Sequence, residues 1–330
     1  MAKRDIIVIG ASAGGIYALK ELAATLPADL PASIFIVQHV APYTTSYLPT
    51  ILNFSGKLPA SHAVDGESIK TGHIYVAPPD HHLLIEEDRV LVKKGPKENR
   101  FRPSIDALFR SAAYTYGPRV IGIVLTGLLD DGTSGMWSIK RLGGISVIQQ
   151  PEEAMYPSMP ESVQQHVEVD YVVELAQLAP LLSELIQQDV SPQPTLSGLE
   201  RKRMETEVKT AMTDSAFAMN ILQEGELTPL TCPQCHGSLV SIREGTIIRY
   251  RCHTGHAYTA SSLLAEIKQG VEDSLWSAVR SLDEVTILMN QAAQAFDEGG
   301  NPEAAQTYWQ KAEDAQQQAF KIRTIAIDEA

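Results

Sequence analysis

The sequence IIVIGASAGG, residues 6–15, constrains the fold of this chain more than any other stretch. Its first four residues are apolar and β-branched, as in a buried strand of a parallel sheet. Small residues follow, and apolar residues then recur at helical spacing over residues 16–26. The sequence therefore predicts a strand, a tight turn and a helix.

The turn in this unit is compatible with two kinds of chemistry. G-x-S-x-G, with Ser12 at its centre, is the pattern of a nucleophile elbow, which exposes a serine at the top of an α/β sheet. A glycine-rich turn before a helix is also typical of phosphate binding. A turn with a purely structural role is the third interpretation, and this stretch alone leaves all three open.

Strand and helix patterns alternate up to about residue 187, which predicts a doubly wound, mainly parallel α/β sheet. We expect four parts in chain order. They are a catalytic α/β domain over 1–187, a linker with a charged helix over 188–228, a small zinc-ribbon-like unit over 229–258 and a helical hairpin over 259–330. The charged run LERKRMETEVKT in the linker predicts a solvated helix with little to bury.

Composition and charge exclude several classes of function. The formal net charge of −13 argues against nucleic-acid binding, because phosphate contacts require clustered Lys and Arg. No apolar run approaches the length that spans a bilayer, and no N-terminal segment resembles a secretory signal. We therefore expect a cytoplasmic protein without membrane insertion of its own.

Three polar residues follow predicted strands of the parallel sheet. Ser12 follows the first strand, His39 follows SIFIVQ, and Asp131 comes just after VIGIVLTG. The carboxyl ends of parallel strands share one edge of an open sheet, so these side chains are expected to meet there. A serine nucleophile needs a base, and the base needs an acid that orients it.

Each of these residues also has an ordinary structural interpretation. A lone histidine after a strand is often a hydrogen-bonded structural group, and Asp131 before Gly132 is suited to capping a helix. Ser12 is small enough to be a packing residue. Placement of all three at one sheet edge favours the catalytic interpretation.

Nucleotide binding is disfavoured at the second strand. A dinucleotide site requires an acidic residue near the end of that strand, where this chain has Gln38 and His39. The glycine pattern G-x-x-x-G-G also departs from G-x-G-x-x-G.

Several motifs together resemble the catalytic domain of the chemotaxis protein-glutamate methylesterases. They are GASAGG, VQHV, YVAPPDHHL, RPSIDALFRSAA, VLTGLLDDGTSG and MPESV, in this order over residues 5–186. The resemblance implies that Ser12 is the nucleophile, His39 its base and Asp131 the residue that orients the base. It also implies hydrolysis of glutamate methyl esters on chemoreceptors, with release of methanol, and deamidation of receptor glutamines.

The chain departs from this family in three ways. Ala13 replaces the usual threonine after the nucleophile, and Leu128-Leu129 replaces a Met-Gly pair. The resemblance implies that the backbone at the methionine position helps to form the oxyanion hole, so the N–H of Leu128 is one candidate donor. The N–H of Ala13 is the other, and Leu129 is expected to alter the local turn. Many members also begin with a receiver domain, whereas this chain enters the catalytic strand directly, so we expect a separate regulator.

The three cysteines lie in one short stretch with the pattern C-x2-C-x16-C-x3-H. Cys232, Cys235, Cys252 and His256 match the spacing of a tetrahedral structural zinc site. His236 and His253 are rival ligands, each adjacent to a cysteine. Four protein ligands leave no open position for catalysis, so we expect zinc to support folding and a fragment of residues 1–190 to keep small-ester hydrolysis.

The sequence thus predicts a serine hydrolase that acts on methylated chemoreceptors or similar helical signalling proteins. The alternative is a weak or inactive adaptor that binds a signalling partner through the zinc-ribbon and helical tail. The Leu128-Leu129 pair is the main support for that alternative. Turnover of a methylated receptor fragment separates the two.

Overall fold

The computed structural model describes residues 2–213 and 223–328. The chain divides into two compact units, Met1–Leu263 and Leu264–Ala330. Nothing in this division tests the four boundaries predicted above, which stay predictions.

A parallel sheet of seven strands forms the centre of the first unit. The strands up to residue 187 are β1 (Ile6–Ala11), β2 (Ser33–Gln38), β3 (Ala60–His62), β4 (Ile74–Val76), β5 (His82–Glu86), β6 (Arg89–Lys93), β7 (Val120–Val124), β8 (Ile145–Gln149) and β9 (Tyr171–Val173). The sheet order is β3-β4-β2-β1-β7-β8-β9, with every neighbouring pair parallel, while β5 and β6 form a separate antiparallel hairpin. The predicted α/β class is confirmed.

Helices cover both faces of this sheet. They are α1 (Gly15–Thr25), α2 (Leu48–Ser55), α3 (Ile105–Tyr116), α4 (Thr133–Arg141), α5 (Ser158–His166) and α6 (Leu175–Leu185). Alternate residues of β1 belong to the hydrophobic cores on opposite faces of the sheet. Ile7 and Ile9 pack with α1, α2 and α6, whereas Val8 packs with α3, α4 and α5. Burial on both faces explains why β1 is an uninterrupted apolar run.

The charged helix α7 (Gly198–Met212) is less solvated than its sequence predicts. Ser197 and Glu200 form a capping box at its start. Met204, Glu207 and Val208 are nevertheless buried. The expectation of little to bury is wrong for this face, because the acidic Glu207 is matched by buried arginines from other elements.

A four-stranded antiparallel sheet contains the cysteines. Its strands are β10 (Glu226–Thr231), β11 (Ser238–Glu244), β12 (Ile247–Cys252) and β13 (Ala257–Thr259), in that spatial order. Cys232, Leu239 and Tyr258 belong to its small buried core. This arrangement confirms the predicted zinc-ribbon-like unit, and we call residues 226–259 the Cys₃His module.

Two long helices follow, α8 (Ala260–Glu298) and α9 (Pro302–Asp328). Within the second unit, Phe296 stacks on Tyr308 and Arg323 bonds Asp283, so the predicted helical hairpin is confirmed. Gly300, with φ of 76°, lies in the turn between the helices. In the part of the chain that the structure describes, no helix is both long and apolar enough to span a membrane.

Candidate active site

Ser12 lies in the turn between β1 and α1. Its backbone N–H donates to Thr126 O at 3.0 Å, and its carbonyl accepts from the N–H of Gly15 at 2.9 Å. Gly14 has φ of 76°, a left-handed conformation that glycine adopts without steric cost. The turn therefore holds the Ser12 hydroxyl at the carboxyl end of the central strand.

His39 follows β2 at the same edge of the sheet. Its Nδ1 lies 3.1 Å from Ser12 Oγ, and its Nε2 lies 2.8 Å from Asp131 Oδ2. An ionised carboxylate only accepts hydrogen bonds, so Nε2–H donates to Asp131 and Nδ1 is left to accept from Ser12. The three residues predicted from the strand ends are thus brought into one hydrogen-bonded series.

Asp131 is buried where α3 begins. Its carboxylate accepts from the N–H of Ile105 at 2.7 Å, from Ser104 Oγ at 2.9 Å and from Asn99 Nδ2 at 2.8 Å. Burial alone would raise the pKa of Asp131, but the hydrogen bond and charge of His39, with the donors of Asn99 and Ile105, lower it. Asp131 is therefore ionised and held in one orientation.

The two candidate oxyanion donors are the residue after Ser12 and the residue after Gly127. Among the described residues, neither the N–H of Ala13 nor that of Leu128 donates a hydrogen bond within the protein. Leu129 has φ of 64°, so a leucine occupies the left-handed conformation that suits the glycine of the family pattern. Replacement of the glycine by Leu129 therefore does not require the expected change of turn, although the Leu129 backbone is strained.

Gly127 allows β7 to end beside the serine. A Cβ on this residue would lie 2.8 Å from Ser12 Cβ and 2.1 Å from Met159 Sδ. Any larger residue would displace one of these two groups. The glycine of the VIGIVLTG strand is therefore required by the close approach of two chain segments.

Besides the residues that begin α3, sequence reasoning missed Asn99 and Phe101, whose side chains contact the series. Phe101 stacks on the imidazole of His39, with ring centroids 3.7 Å apart and planes 8° from parallel. Asn99 bonds Asp131, as described above. Both lie in a loop without periodic pattern, and the only signal for them was their position just before the RPSIDALF motif.

Two further aspartates surround Asp131. Asp106 accepts from the N–H groups of Gly132 and Gly135, and burial together with the charge of Asp131 raises its pKa to about 8. Asp130 accepts from Thr259 Oγ1 at 2.8 Å, and burial raises its pKa. Asp130 thus faces the Cys₃His module, whereas Asp131 alone bonds His39.

The predicted metal ligands converge in one cluster. Cys232, Cys235, Cys252 and His256 place their ligand atoms within 4.8 Å of one another. The Cys235–Cys252 Sγ–Sγ distance and the distances from His256 Nδ1 to Cys232 Sγ and Cys252 Sγ are each 3.6 Å. Zinc–sulfur and zinc–nitrogen bond lengths place the corners of a tetrahedron about 3.5–3.8 Å apart. The four side chains could therefore hold a metal ion of the size of zinc.

A buried ion cluster joins the module to the parallel-sheet region. Arg249 and Arg251 of β12 bond Glu207 of α7 at 2.7 and 2.6 Å. Arg251 also bonds Glu98 at 2.9 Å, and Arg110 of α3 lies 3.2 Å from Glu98. Such charges are stable in the interior only because each is paired. The module and the parallel-sheet region accordingly share one polar interior within the first unit.

Several exposed apolar side chains lie on the chain segments next to Ser12 and Gly127. Tyr17 and Met155, 65% and 64% exposed, line a cavity together with Gly14. Leu128, four residues after the end of β7, is 51% exposed. Exposed apolar side chains of this kind are suited to contact with a protein surface.

The similarity of this chain to known proteins covers the parallel-sheet region. A family model described as CheB methylesterase matches residues 7–182, more than half of the chain. A relative from Leptospira interrogans (serovar copenhageni, strain Fiocruz L1-130), provisionally named a protein-glutamate methylesterase/protein-glutamine glutaminase, is 41% identical over 56% of this chain and 97% of its own length. The protein-glutamate methylesterase/protein-glutamine glutaminase 2 of Methanosarcina mazei is 36% identical over 56% of this chain and 52% of its own length.

A solved structure of a CheB methylesterase domain is also similar to this chain. The crystal structure of the Thermotoga maritima CheB methylesterase catalytic domain superposes with a TM-score of 0.53 and 35% identity, and it covers 56% of this chain and 100% of that chain. The chain spans about half the length of the Methanosarcina mazei relative. This chain belongs to the CheB methylesterase family.

Proposed function

We propose that this protein hydrolyses the methyl esters of glutamate side chains on methyl-accepting chemoreceptor proteins and releases methanol. We extend the proposal to deamidation of receptor glutamines, since the names of the relatives include glutaminase activity. The observation that supports it most is the hydrogen-bonded series Ser12–His39–Asp131 at the carboxyl edge of the sheet.

In this proposal Ser12 attacks the ester carbonyl while its proton passes to His39 Nδ1. His39 returns the proton to the methoxy oxygen, methanol leaves, and the glutamate side chain remains as an acyl group on Ser12. Water then attacks this acyl group with His39 as base, which releases the glutamate and restores the serine. Asp131 orients the imidazole and stabilises its charged form.

The N–H groups of Ala13 and Leu128 are the proposed oxyanion hole. Hydrogen-bond donors directed at the developing charge stabilise a tetrahedral intermediate without reorganisation. Both N–H groups lack partners among the described residues, as this role requires. The exposed Tyr17, Leu128 and Met155 are the surface on which a helical substrate would rest.

For the metal site we propose one structural zinc ion bound by Cys232, Cys235, Cys252 and His256. When bound, zinc supplies four fixed bonds that close the small module. Metal analysis of the purified protein should return one zinc per chain. Substitution of His236 or His253, the rival ligands, should leave that ratio unchanged.

Methanol release from methylated receptor preparations tests the proposed activity. We expect turnover by the zinc-loaded protein, and ammonia release from receptors that carry glutamine at the modified sites. Binding to the receptor without any methanol or ammonia would favour the adaptor alternative. A separate regulator and a cytoplasmic location are predictions as well. To test for the regulator, the assay should be repeated with candidate receiver proteins added.

A further inference from the structure

Asn99 lies between the proposed catalytic series and the Cys₃His module. Its side-chain Nδ2 donates to Asp131 Oδ1 at 2.8 Å and to Asp106 Oδ2 at 2.7 Å. Its Oδ1 accepts from the N–H of Thr259 at 2.9 Å and from Ser262 Oγ at 3.2 Å. Both hydrogens and both acceptor positions of this amide are therefore used.

The orientation of this amide is fixed by its partners. Carboxylates accept and a peptide N–H donates, so the NH₂ group must face Asp131 and the oxygen must face Thr259. Asn99 is only 3% exposed, so these bonds are largely shielded from solvent. The position of Thr259 thus determines where Asn99 can support Asp131.

The backbone of Asn99 is attached to β13 as well. Its N–H donates to Ala257 O at 2.8 Å, and the N–H of Ala257 donates to Lys97 O at 3.2 Å. Asn99 and Arg100 both have positive φ, 48° and 77°, a conformation that asparagine tolerates but that costs energy for arginine. The attachment to β13 is one of the contacts that keep this strained loop in place.

Two of the four predicted metal ligands, Cys252 and His256, lie at the connection between β12 and β13. His256 immediately precedes β13, and its carbonyl accepts from the N–H of Cys252 at the end of β12. The segment 252–256 therefore carries two ligands and makes the turn between the two strands. Arg251 reinforces the turn through Gly255 O at 2.7 Å.

Glu98 adds a second attachment at the residue before Asn99. Its carboxylate bonds Arg251 at 2.9 Å and Arg249 at 3.4 Å, and both arginines lie on β12. Burial opposes its charge, but Arg110, Arg251 and Arg249 hold the pKa of Glu98 well below its usual range. Displacement of β12 would remove two of the three arginines that pair with this buried carboxylate and leave only Arg110 of α3.

We propose that the Cys₃His module positions Asp131 through Asn99, so that metal loading of the module controls turnover. This inference rests on the proposed hydrolase function. The metal takes no part in the chemistry; it fixes β13, β13 fixes Asn99, and Asn99 fixes the carboxylate that orients His39. Asn99 is a positioning residue.

A double-mutant cycle on the full chain tests this coupling. Zinc is removed with a chelator under reducing conditions and then restored, in the wild type and in Asn99→Ala. We expect zinc removal to lower kcat of the wild type on the order of 100-fold with little change in KM, as misplacement of a catalytic group does. In Asn99→Ala, kcat should already be reduced by a similar factor, and zinc removal should add little.

The matched control is Asn53→Ala. Asn53 also bonds through both ends of its amide, to the backbone of Ala60, but it lies at the far side of the parallel sheet. This variant should keep both its turnover and its sensitivity to zinc. If the fold-reductions in kcat caused by zinc removal and by Asn99→Ala multiply, the proposal is contradicted.

Hydrogen exchange of the wild type gives a readout that does not depend on activity. Chelation should accelerate exchange in peptides that cover residues 97–106, while peptides from β1 remain protected. Faster exchange confined to residues 226–259 would overturn the coupling. If the zinc-loaded protein hydrolyses no methyl ester, the proposed function fails, but the exchange result still decides whether the module supports the loop of Asn99.

Discussion

The proposed catalytic series and the contacts that support it differ in how they are assembled. Ser12 and His39 are 27 residues apart, and His39 and Asp131 are 92 apart, yet all three follow strands of one parallel sheet. Asn99 and Thr259 are 160 residues apart and meet through a loop and a short edge strand. Strand ends share an edge by the geometry of the sheet, whereas a loop contact follows no such rule.

This difference changes the expected role of the module. Its sequence predicts a unit that folds around its own metal and leaves a fragment of residues 1–190 able to hydrolyse esters. In the structure, Glu98 and Asn99 bond β12 and β13 directly. Such a fragment would lack the partners of two buried polar residues, so we now expect it to be impaired.

The largest effect is expected at the nucleophile. Ser12→Ala should lower methanol release by roughly 10⁴-fold or more, because the other members of a triad are ineffective without it. The measurement is methanol release from methylated receptors, with folding checked by circular dichroism. Ser55→Ala, at the end of α2, where the hydroxyl donates to Ile51 O, is the control. Near wild-type turnover in Ser12→Ala would break the assignment of the series.

The buried ion cluster should give the largest effect on stability. Glu207→Gln removes a carboxylate that pairs with Arg249 and Arg251, so we expect a loss of about 3–5 kcal/mol in the free energy of unfolding. Urea denaturation measures it. Glu205→Gln, on the exposed side of the same helix, should change little. Equal losses in the free energy of unfolding for Glu207→Gln and Glu205→Gln would show that the ion cluster does not join the Cys₃His module to the parallel-sheet region.

The pH dependence of stability should report the same cluster. Neighbouring arginines outweigh burial and lower the pKa of Glu207 to about 2, below its ordinary value of 4.5. Its contribution to stability is therefore complete above pH 4.5 and is lost as the pH falls towards 2. Urea denaturation across this range should give a steeper loss for the wild type than for Glu207→Gln. Parallel curves would contradict the low pKa.

The smallest effect is expected at the strained turn beside the proposed catalytic series. Leu129→Gly removes a leucine from the left-handed region at φ of 64° and should stabilise the protein by about 0.5–1 kcal/mol. The neighbouring Leu128→Gly relieves no such strain and should be neutral or destabilising. Thermal unfolding compares the two. A destabilised Leu129→Gly would mean that the buried part of its side chain outweighs the backbone strain.

Much of the fold follows from short-range pattern. The run IIVI and the strand VIGIVLTG are apolar because both faces of the central sheet are covered, so they could be recognised without tertiary information. The burial of helix α7 could not be recognised in this way, since its polar sequence predicts a solvated surface while Glu207 is buried against three arginines. Charge pairing between distant elements leaves no periodic signal.

The sequence by itself determined the candidate chemistry: Ser12, His39 and Asp131 at strand ends, and four metal ligands at chelating spacing. The strand-end residues and the metal ligands can both be recognised from their positions along the chain. Parallel strands end at one edge of a sheet, and ligands at chelating spacing lie close together. Only the tertiary structure decided what surrounds them. Phe101 against His39, and Asn99 between Asp131 and Thr259, depend on loop conformations that are set by hydrogen bonds to distant strands.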